Sequence, residues 1–404
     1  MNTDIHLKGM DTSQVRKVNI VAVLKALRTE GRMGRRDIAK LTNLSFPTIC
    51  RVVNDLIEHS IISEVASINI GKAKRKTGLL DINPDGGWVV AMDIGASTIR
   101  AAAIDFCGKL CESTGLPLEN IEGEKSVTPA ILSVLTEIIN KCEASRGKPQ
   151  AIGISCPGIV DSHLGVVRHS YNLQLRDYPM ARIVQQAYNV PVVIYNDVVS
   201  STLAEAKLGP GQEHSNFAYV MVGTGIGAGF VFDGQVRELP PYAEFGLTVV
   251  APEGDPERFG GRGYLESIAS GRGIAAAVRR EIEAGATSML TDIIPGDASL
   301  IKTKDVAEAA NQGDELARKV LASAASHLGL AIVNLAHTLG LTMFVISGGV
   351  SMSGDAFWKP LREAVEKYEY WPGRIRLESS ILQKDAALLG VGILALDKTL
   401  EDIE

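Results

Sequence analysis

Two glycine turns carry residue types on which phosphate and polyol chemistry can be built. In the run VVAMDIGASTIRAAAIDF, residues 89–106, an apolar stretch ends at Asp93, turns at Gly95 and resumes at Ile99. Gly95 and the small Ala96 and Ser97 leave the amides of this expected strand-turn-strand uncovered, which is what a phosphate or hydroxyl oxygen needs. A second run, Val222-Gly223-Thr224-Gly225-Ile226-Gly227-Ala228-Gly229, lies between expected strands at 217–221 and 230–232. Its position between strands argues against a dinucleotide-binding turn, and glycines in such a place also serve tight packing alone. Asn196-Asp197 closes a strand at 192–195 and opens a helix at 198–208. A carboxylate at a strand end could accept a hydroxyl proton, whereas Asn and Asp are equally ordinary helix N-caps.

The elements around these residues alternate. After the first hairpin, Cys107-Gly108 turns into a strand near 109–113, and Thr128-Pro129 opens a helix with Ile131, Leu132, Leu135, Ile138 and Ile139 on its inner stripe. A strand at 151–155 ends in the loop Cys156–Asp161. A long, small-residue-rich helix at 316–339 precedes the strand 343–346 and a third glycine turn, Ser347-Gly348-Gly349. This is α/β patterning, with candidate ligand loops at strand ends.

The front of the chain differs in charge and period. Residues 1–80 carry fourteen Lys and Arg against seven Asp and Glu, a formal +7, which leaves −13 for the remainder of a chain whose total is −6. The front is therefore the part suited to a polyanion. Ile20, Val21, Val23, Leu24 and Leu27 make one helical stripe, a short helix is expected at 35–41, and a longer one at 46–59 after the turn Thr42-Asn43-Leu44. Ser45 is placed as N-cap and Pro47 in the first turn. With Ile38, Leu44, Ile49, Val52, Val53, Leu56 and Ile57 inward, Phe46, Pro47, Thr48 and Arg51 remain outward at the helix start. Strands at 61–70 and 76–82 flank a tip bearing Lys72, Lys74 and Arg75. The spacing and the charge together predict a winged helix-turn-helix that binds operator DNA, with Arg35, Arg36, Ser45, Phe46, Pro47, Thr48, Arg51, Lys72, Lys74 and Arg75 as its candidate contacts. A solvated charged face is the plainer alternative. The expected division is a DNA-binding domain at 1–83 and a ligand domain at 84–404, with lobes of about 84–196 and 197–380 and a C-terminal helix returning to the first lobe.

At 404 residues and 46% apolar, the chain has material for more than one core. Its five cysteines show neither CxxC spacing nor a disulfide pattern, so no cysteine metal site is readable and a reducing compartment is expected. No apolar run reaches about 18 residues and no leader is visible, which predicts a cytoplasmic protein without a membrane partner.

As an ordered set, DIGASTIR at 93–100, GISCPGIVD at 153–161, YND at 195–197, VGTGIGAG at 222–229, AEFG at 243–246, YLESIASG at 264–271 and SGG at 347–349 resemble the ROK family of repressors, open reading frames and kinases. The resemblance spans nearly the whole chain. It implies an actin-like ATPase (ribonuclease-H-like) fold of two lobes, and, with a winged helix in front, a sugar-responsive transcriptional repressor. By the same resemblance Asn172, Asn196, Asp197, Glu244 and Glu266 would hold a sugar, with Asp197 accepting the proton if the chain is a kinase. Asp93, Gly95, Ser97, Gly223, Thr224, Gly225 and Gly227 are the phosphate-binding-like positions, taking ATP and magnesium only in that case. The alternative is a ROK sugar kinase with an accessory DNA-binding domain. Two departures stand out. Leu247 replaces the histidine of the family's Glu-x-Gly-His, and residues 257–264 (ERFGGRGY) replace its Cys-x-Cys-Gly-x-x-Gly-Cys loop, so the family's zinc is expected to be lost and no cofactor is expected. Reading a palindromic operator implies a homodimer or homotetramer.

Overall fold

The computed structural model describes residues 12–70, 75–118, 121–240, 243–254, 259–294 and 297–400. The elements run α1 (Thr12–Glu30), β1 (Met33–Gly34), α2 (Arg35–Thr42), α3 (Phe46–Glu58), β2 (Ile62–Ile70), β3 (Arg75–Ile82), β4 (Trp88–Ile94), β5 (Thr98–Asp105), β6 (Leu110–Pro117), α4 (Glu124–Arg146), β7 (Ile152–Cys156), β8 (Ile159–Asp161), β9 (Val166–Ser170), β10 (Leu175–Tyr178), α5 (Met180–Tyr188), β11 (Val192–Asn196) and α6 (Asp197–Leu208). They continue with β12 (Phe217–Val222), β13 (Ile226–Phe232), β14 (Gln235–Arg237), β15 (Val249–Glu253), β16 (Arg262–Tyr264), α7 (Leu265–Ala269), α8 (Gly271–Glu283), α9 (Leu290–Ile293), α10 (Thr303–Gln312), α11 (Glu315–Leu339), β17 (Met343–Ser347), α12 (Asp355–Tyr368), β18 (Arg376–Ser379) and α13 (Ala386–Thr399).

The front forms the expected helix-turn-helix. Ile38, Ile49, Val52, Val53 and Leu56 are buried, together with Ile20, Val23, Leu24 and Leu27 of α1, because each lies on the inward stripe of its helix. Leu44 and Ile57 are only half-buried. β2 and β3 pair antiparallel as the wing, and the short β1 joins the free edge of β3. Behind them the strands make two five-stranded sheets of one design. In the first, of order β11-β7-β4-β5-β6, an antiparallel meander β4-β5-β6 is followed by β7 parallel to β4. In the second, of order β14-β13-β12-β17-β18, the meander β12-β13-β14 is followed by β17 parallel to β12. The same order twice is the duplicated plan of the actin-like fold, and β4 and β12, the first strand of each copy, lead into the two glycine turns.

Each copy has its own core. Trp88, Val90, Met92, Ile131, Leu135 and Ile154 belong to the first, and Val220, Leu265, Ile274, Leu321, Leu328 and Phe344 to the second. α11 has the length and mean hydropathy, 1.4, of a membrane span, yet half of that stretch is packed into the second core, which accounts for its apolarity. The chain divides into two compact units, residues up to Tyr195 together with those from Val391, and Asn196–Gly390. The winged helix, expected as a domain of its own, belongs to the first unit. The C-terminal helix changes unit at Gly390/Val391, later than the expected lobe boundary.

Some local expectations differ from the structure. α4 starts at Glu124, after Gly123 at φ 74°, so Pro129 lies inside the helix and does not open it. The run Ile226–Gly229 belongs to strand β13, and the turn is only Gly223-Thr224-Gly225. The expected loop Cys156–Asp161 itself supplies β8, the first strand in chain order of the small sheet β10-β9-β8. Its strands are too short and polar to show a period, and part of their cohesion comes from Arg168, which reaches Asp161 at 2.9 Å and Asp177 at 3.1 Å.

Candidate functional site

In the front, the start of α3 is built as a presenting surface. The Ser45 hydroxyl accepts the Thr48 amide at 3.3 Å and lies 2.8 Å from the Thr48 hydroxyl, which fixes where the helix begins. Phe46 is 47% exposed, and Pro47, Arg51 and Arg36 also face solvent. Arg35 is placed differently from a phosphate contact. Its guanidinium reaches Glu64 of the wing at 2.6 Å, with Asn54 at 3.5 Å, so it braces α2 against α3 and β2. Lys72 and Lys74 lie outside the described residues, as does the Arg75 side chain.

In the second unit the structure draws four features together around Glu266. The carboxylate accepts the Ile226 amide at 2.9 Å, at the point where β13 leaves the glycine turn. A methyl group on Gly225 would lie 2.6 Å from that carboxylate, and one on Gly246 would lie 2.6 Å from the Ile226 carbonyl and 3.3 Å from the carboxylate. Glu266 is thus threaded between two backbones that only glycine lets so close. Glu244 stands near it: burial of its carboxyl among protein atoms, and then the like charge of Glu266, push its pKa above the ordinary carboxylate value. Two neighbouring carboxyls are an acceptor set for adjacent hydroxyls. Gly246, which the sequence offered only as part of a motif, packs its backbone against Glu266. Leu247 beside it is 43% exposed and offers no polar atom where the family pattern has an imidazole.

Asn196 and Asp197 start α6 in the same unit. The Asn196 side chain accepts the amides of Val198 and Val199 at 2.9 and 3.2 Å, and Asp197 accepts that of Val198 at 3.0 Å. The capping geometry is therefore present, with both side chains half-buried. The glycine turn has two kinds of glycine. Gly223 faces open space, whereas a methyl group on Gly227 would lie 2.6 Å from Val198 and one on Gly229 1.9 Å from Thr202. The last two glycines seat α6 on β13. The Gly223 carbonyl accepts the Gly271 amide at 2.8 Å, tying the turn to the start of α8.

The first unit holds Asp93, Gly95, Ser97 and Asn172. Asp93 is 8% exposed and bonded on both oxygens, to the Ser155 hydroxyl at 3.0 Å and the Arg100 guanidinium at 3.1 Å. Ser155 and Arg100 went unnoticed as its partners because they come from two different strands. The Gly95 amide donates to the Thr98 carbonyl at 2.9 Å, which closes the turn, and the Ser97 carbonyl accepts the Leu118 amide at 2.8 Å. Asn172 lies half-buried in the turn between β9 and β10.

The ROK family model matches residues 89–398, which takes in both five-stranded sheets. The chain belongs to the ROK family. A putative xylose repressor of Caldicellulosiruptor sp. (strain Rt8B.4) is 27% identical over 383 residues, covering 93% of this chain and 94% of that protein. A glucokinase of Halalkalibacterium halodurans is 31% identical over 284 residues, covering 70% and 86%. Among solved structures, a ROK family transcriptional regulator described as a homologue of the Escherichia coli MLC protein superposes with a TM-score of 0.83 at 24% identity, over 96% of this chain and 97% of that one. The match to the xylose repressor covers more of this chain than the ROK model spans, whereas the match to the glucokinase covers less. Where the ROK pattern has the three thiolates of its zinc loop, this sequence has Glu257, Phe259 and Tyr264, and one carboxylate does not replace a tetrahedral thiolate and imidazole set. Among the described residues no three His, Cys, Asp or Glu side chains cluster for a metal.

Proposed function

We propose that this ROK protein is a sugar-responsive transcriptional repressor, acting as a cytoplasmic homodimer or homotetramer on operator DNA. One observation carries the reading: a capped recognition helix whose N-terminal face, Phe46, Pro47 and Arg51, is left outward while Ile49, Val52, Val53 and Leu56 fill the inward side. The effector is a sugar or sugar derivative whose hydroxyls donate to Glu244 and Glu266, with Asn196 and Asp197 of the same unit as further contacts. Kinase action on ATP and magnesium is the second reading, favoured by the open Gly223-Thr224 turn and the glucokinase relative. Against it, the Asp93 carboxylate is already neutralised by Arg100 and Leu247 supplies no imidazole.

The test begins with duplexes selected from a random pool by the wild-type chain. Arg51→Ala should relax the preference at one base position, at a cost of about 1–3 kcal/mol. No enrichment of any sequence by the wild type would sink the repressor reading, and sugar-dependent ADP release at roughly 1–100 s⁻¹ would establish the kinase. Zinc should be absent from protein purified without chelator, and one equivalent per chain by elemental analysis would overturn that expectation.

A further inference from the structure

A DNA-binding head that answers to a distant ligand is commonly pictured on a loose tether. The join in this chain is different. Between Ile82, where the wing ends, and Trp88, where the first sheet begins, only five residues intervene, and both flanks are tied down. The Asn83 amide donates to the Ile61 carbonyl at 2.9 Å and its side-chain nitrogen to the Ser60 carbonyl at 3.0 Å, folding the segment onto the end of α3. Gly86 follows so closely that a methyl group there would lie 1.9 Å from the same Ser60 carbonyl. One on Gly87 would lie 2.5 Å from Gln150 and 2.8 Å from the ring of Phe106. Trp88 is fully buried with its indole N–H on the Gly147 carbonyl at 2.9 Å, so the far side of the join is equally fixed.

A second strut crosses from head to lobe well away in sequence. Arg28, in the last turn of α1, donates to the Phe106 carbonyl at 3.2 Å, in the turn between β5 and β6. The residue as a whole keeps solvent contact, yet desolvation lowers the pKa of its guanidinium, and the charges of Asp397 on α13 and of Cys107 oppose the shift. α13 itself is seated on the same lobe by close approach: a methyl group on Gly153 would meet the Val391 carbonyl at 2.4 Å, and one on Gly392 would meet Ile104 at 2.3 Å. Phe106 therefore receives the head twice, through Arg28 on its carbonyl and through Gly87 on its ring.

We propose that Arg28 and the Asn83–Gly87 join are positioning residues that lock the DNA-binding head to the first lobe, so that head and lobe turn as one body and operator affinity is set by how that lobe is held. The proposal rests on the repressor reading for its consequence, and on the join alone for its geometry. A ligand that moved the first lobe would move the recognition helix with it and would need no separate signal through the linker.

Two spin labels test the lock, one at Lys40 on α2 and one at Glu143 on α4, both exposed and attached through ketone-bearing side chains so that the native cysteines stay. Wild-type protein should give one narrow distance distribution, unchanged by D-xylose or D-glucose. Arg28→Ala combined with Gly86→Val should broaden it, with Arg28→Ala alone serving if the double variant does not fold, and Arg28→Lys restoring part of the order. A broad distribution in wild type, or a double variant as narrow as wild type, overturns the proposal whatever the DNA assays show. On the duplex selected above, the double variant should keep the wild-type preference but lose the sugar response, expected at roughly 5- to 150-fold in the intact chain. If neither sugar alters DNA binding by wild type, the effector reading fails while the label distances still decide the lock.

Discussion

The two glycine hairpins look alike as sequence and differ as structures. At the first, the position of a methyl group on Gly95 is 3.3 Å from the Thr98 carbonyl with little else near, and the carboxylate beside it is neutralised by a cation. At the second, Gly225, Gly227 and Gly229 each have another side chain where a methyl group would go, and the carboxylate held there, Glu266, is bonded by a backbone amide and faces a second carboxyl. At the first hairpin only the Thr98 carbonyl comes near the glycine; at the second a helix and a glutamate lie against the backbone. Glycine content alone is therefore poor evidence for a bound phosphate, since packing accounts for most of the second motif without any ligand.

Substitution by alanine should separate the hairpins most sharply. Gly229→Ala puts a methyl group 1.9 Å from the Thr202 hydroxyl, which is itself bonded to the Val198 carbonyl, so α6 must lift or the rotamer must break. We expect a loss of about 1–3 kcal/mol in urea unfolding, against less than about 1 kcal/mol for Gly95→Ala. Equal losses would show that the Thr202 side chain gives way and that α6 does not depend on a bare backbone at Gly229.

Glu266→Ala is the next largest. It leaves the Ile226 amide without its acceptor, at about 1–3 kcal/mol of stability, and removes half of the proposed hydroxyl-accepting pair. Sugar-induced stabilisation in a thermal-shift screen should disappear while selection of DNA by the head persists. A full thermal shift with the variant would move the sugar site elsewhere.

Much of this was legible in the sequence, for physical reasons that can be named. The recognition helix announced its own start, because Ser45 and Pro47 act within one turn and need no tertiary context. Strands β4, β7, β12 and β17 were legible as buried apolar runs bounded by glycine or a polar residue. What stayed hidden depends on residues brought together from afar. Glu64 claims Arg35 from 29 positions away and Ser155 claims Asp93 from 62, and neither spacing leaves a periodic trace. Gly227 and Gly229 read as turn residues because nothing local to them says that α6 lies on their backbone. The head read as separate from the lobe because charge and period change at the join, although the packing there does not.

The smallest expected effect also comes from setting the two units side by side, through a buried carboxyl in each. Asp93 has a guanidinium beside it, while Glu205 on α6 is fully buried with only the Ser380 hydroxyl on one oxygen and no hydrogen-bond partner on the other. Burial pushes the Glu205 pKa above its ordinary value, with the Ser380 bond opposing that, and the same burial drives the neighbouring Tyr219 up to about 12. The folded state thus binds the Glu205 proton more tightly than the unfolded chain does. Its contribution to stability is complete below the unfolded carboxylate pKa and is lost as pH rises through the higher folded value. Gln cannot ionise and keeps the shape, so Glu205→Gln should gain on wild type as pH rises from about 5 to 8, near the ordinary carboxylate value and above it. Asp93→Asn should run the other way, because it strands the Arg100 charge at every pH where the carboxylate would be ionised. Unfolding of both variants in urea at several pH values measures this. Parallel wild-type and Glu205→Gln curves would mean that water or a cation reaches the carboxylate, and that α6 lies less tightly on its sheet than the glycines of β13 imply.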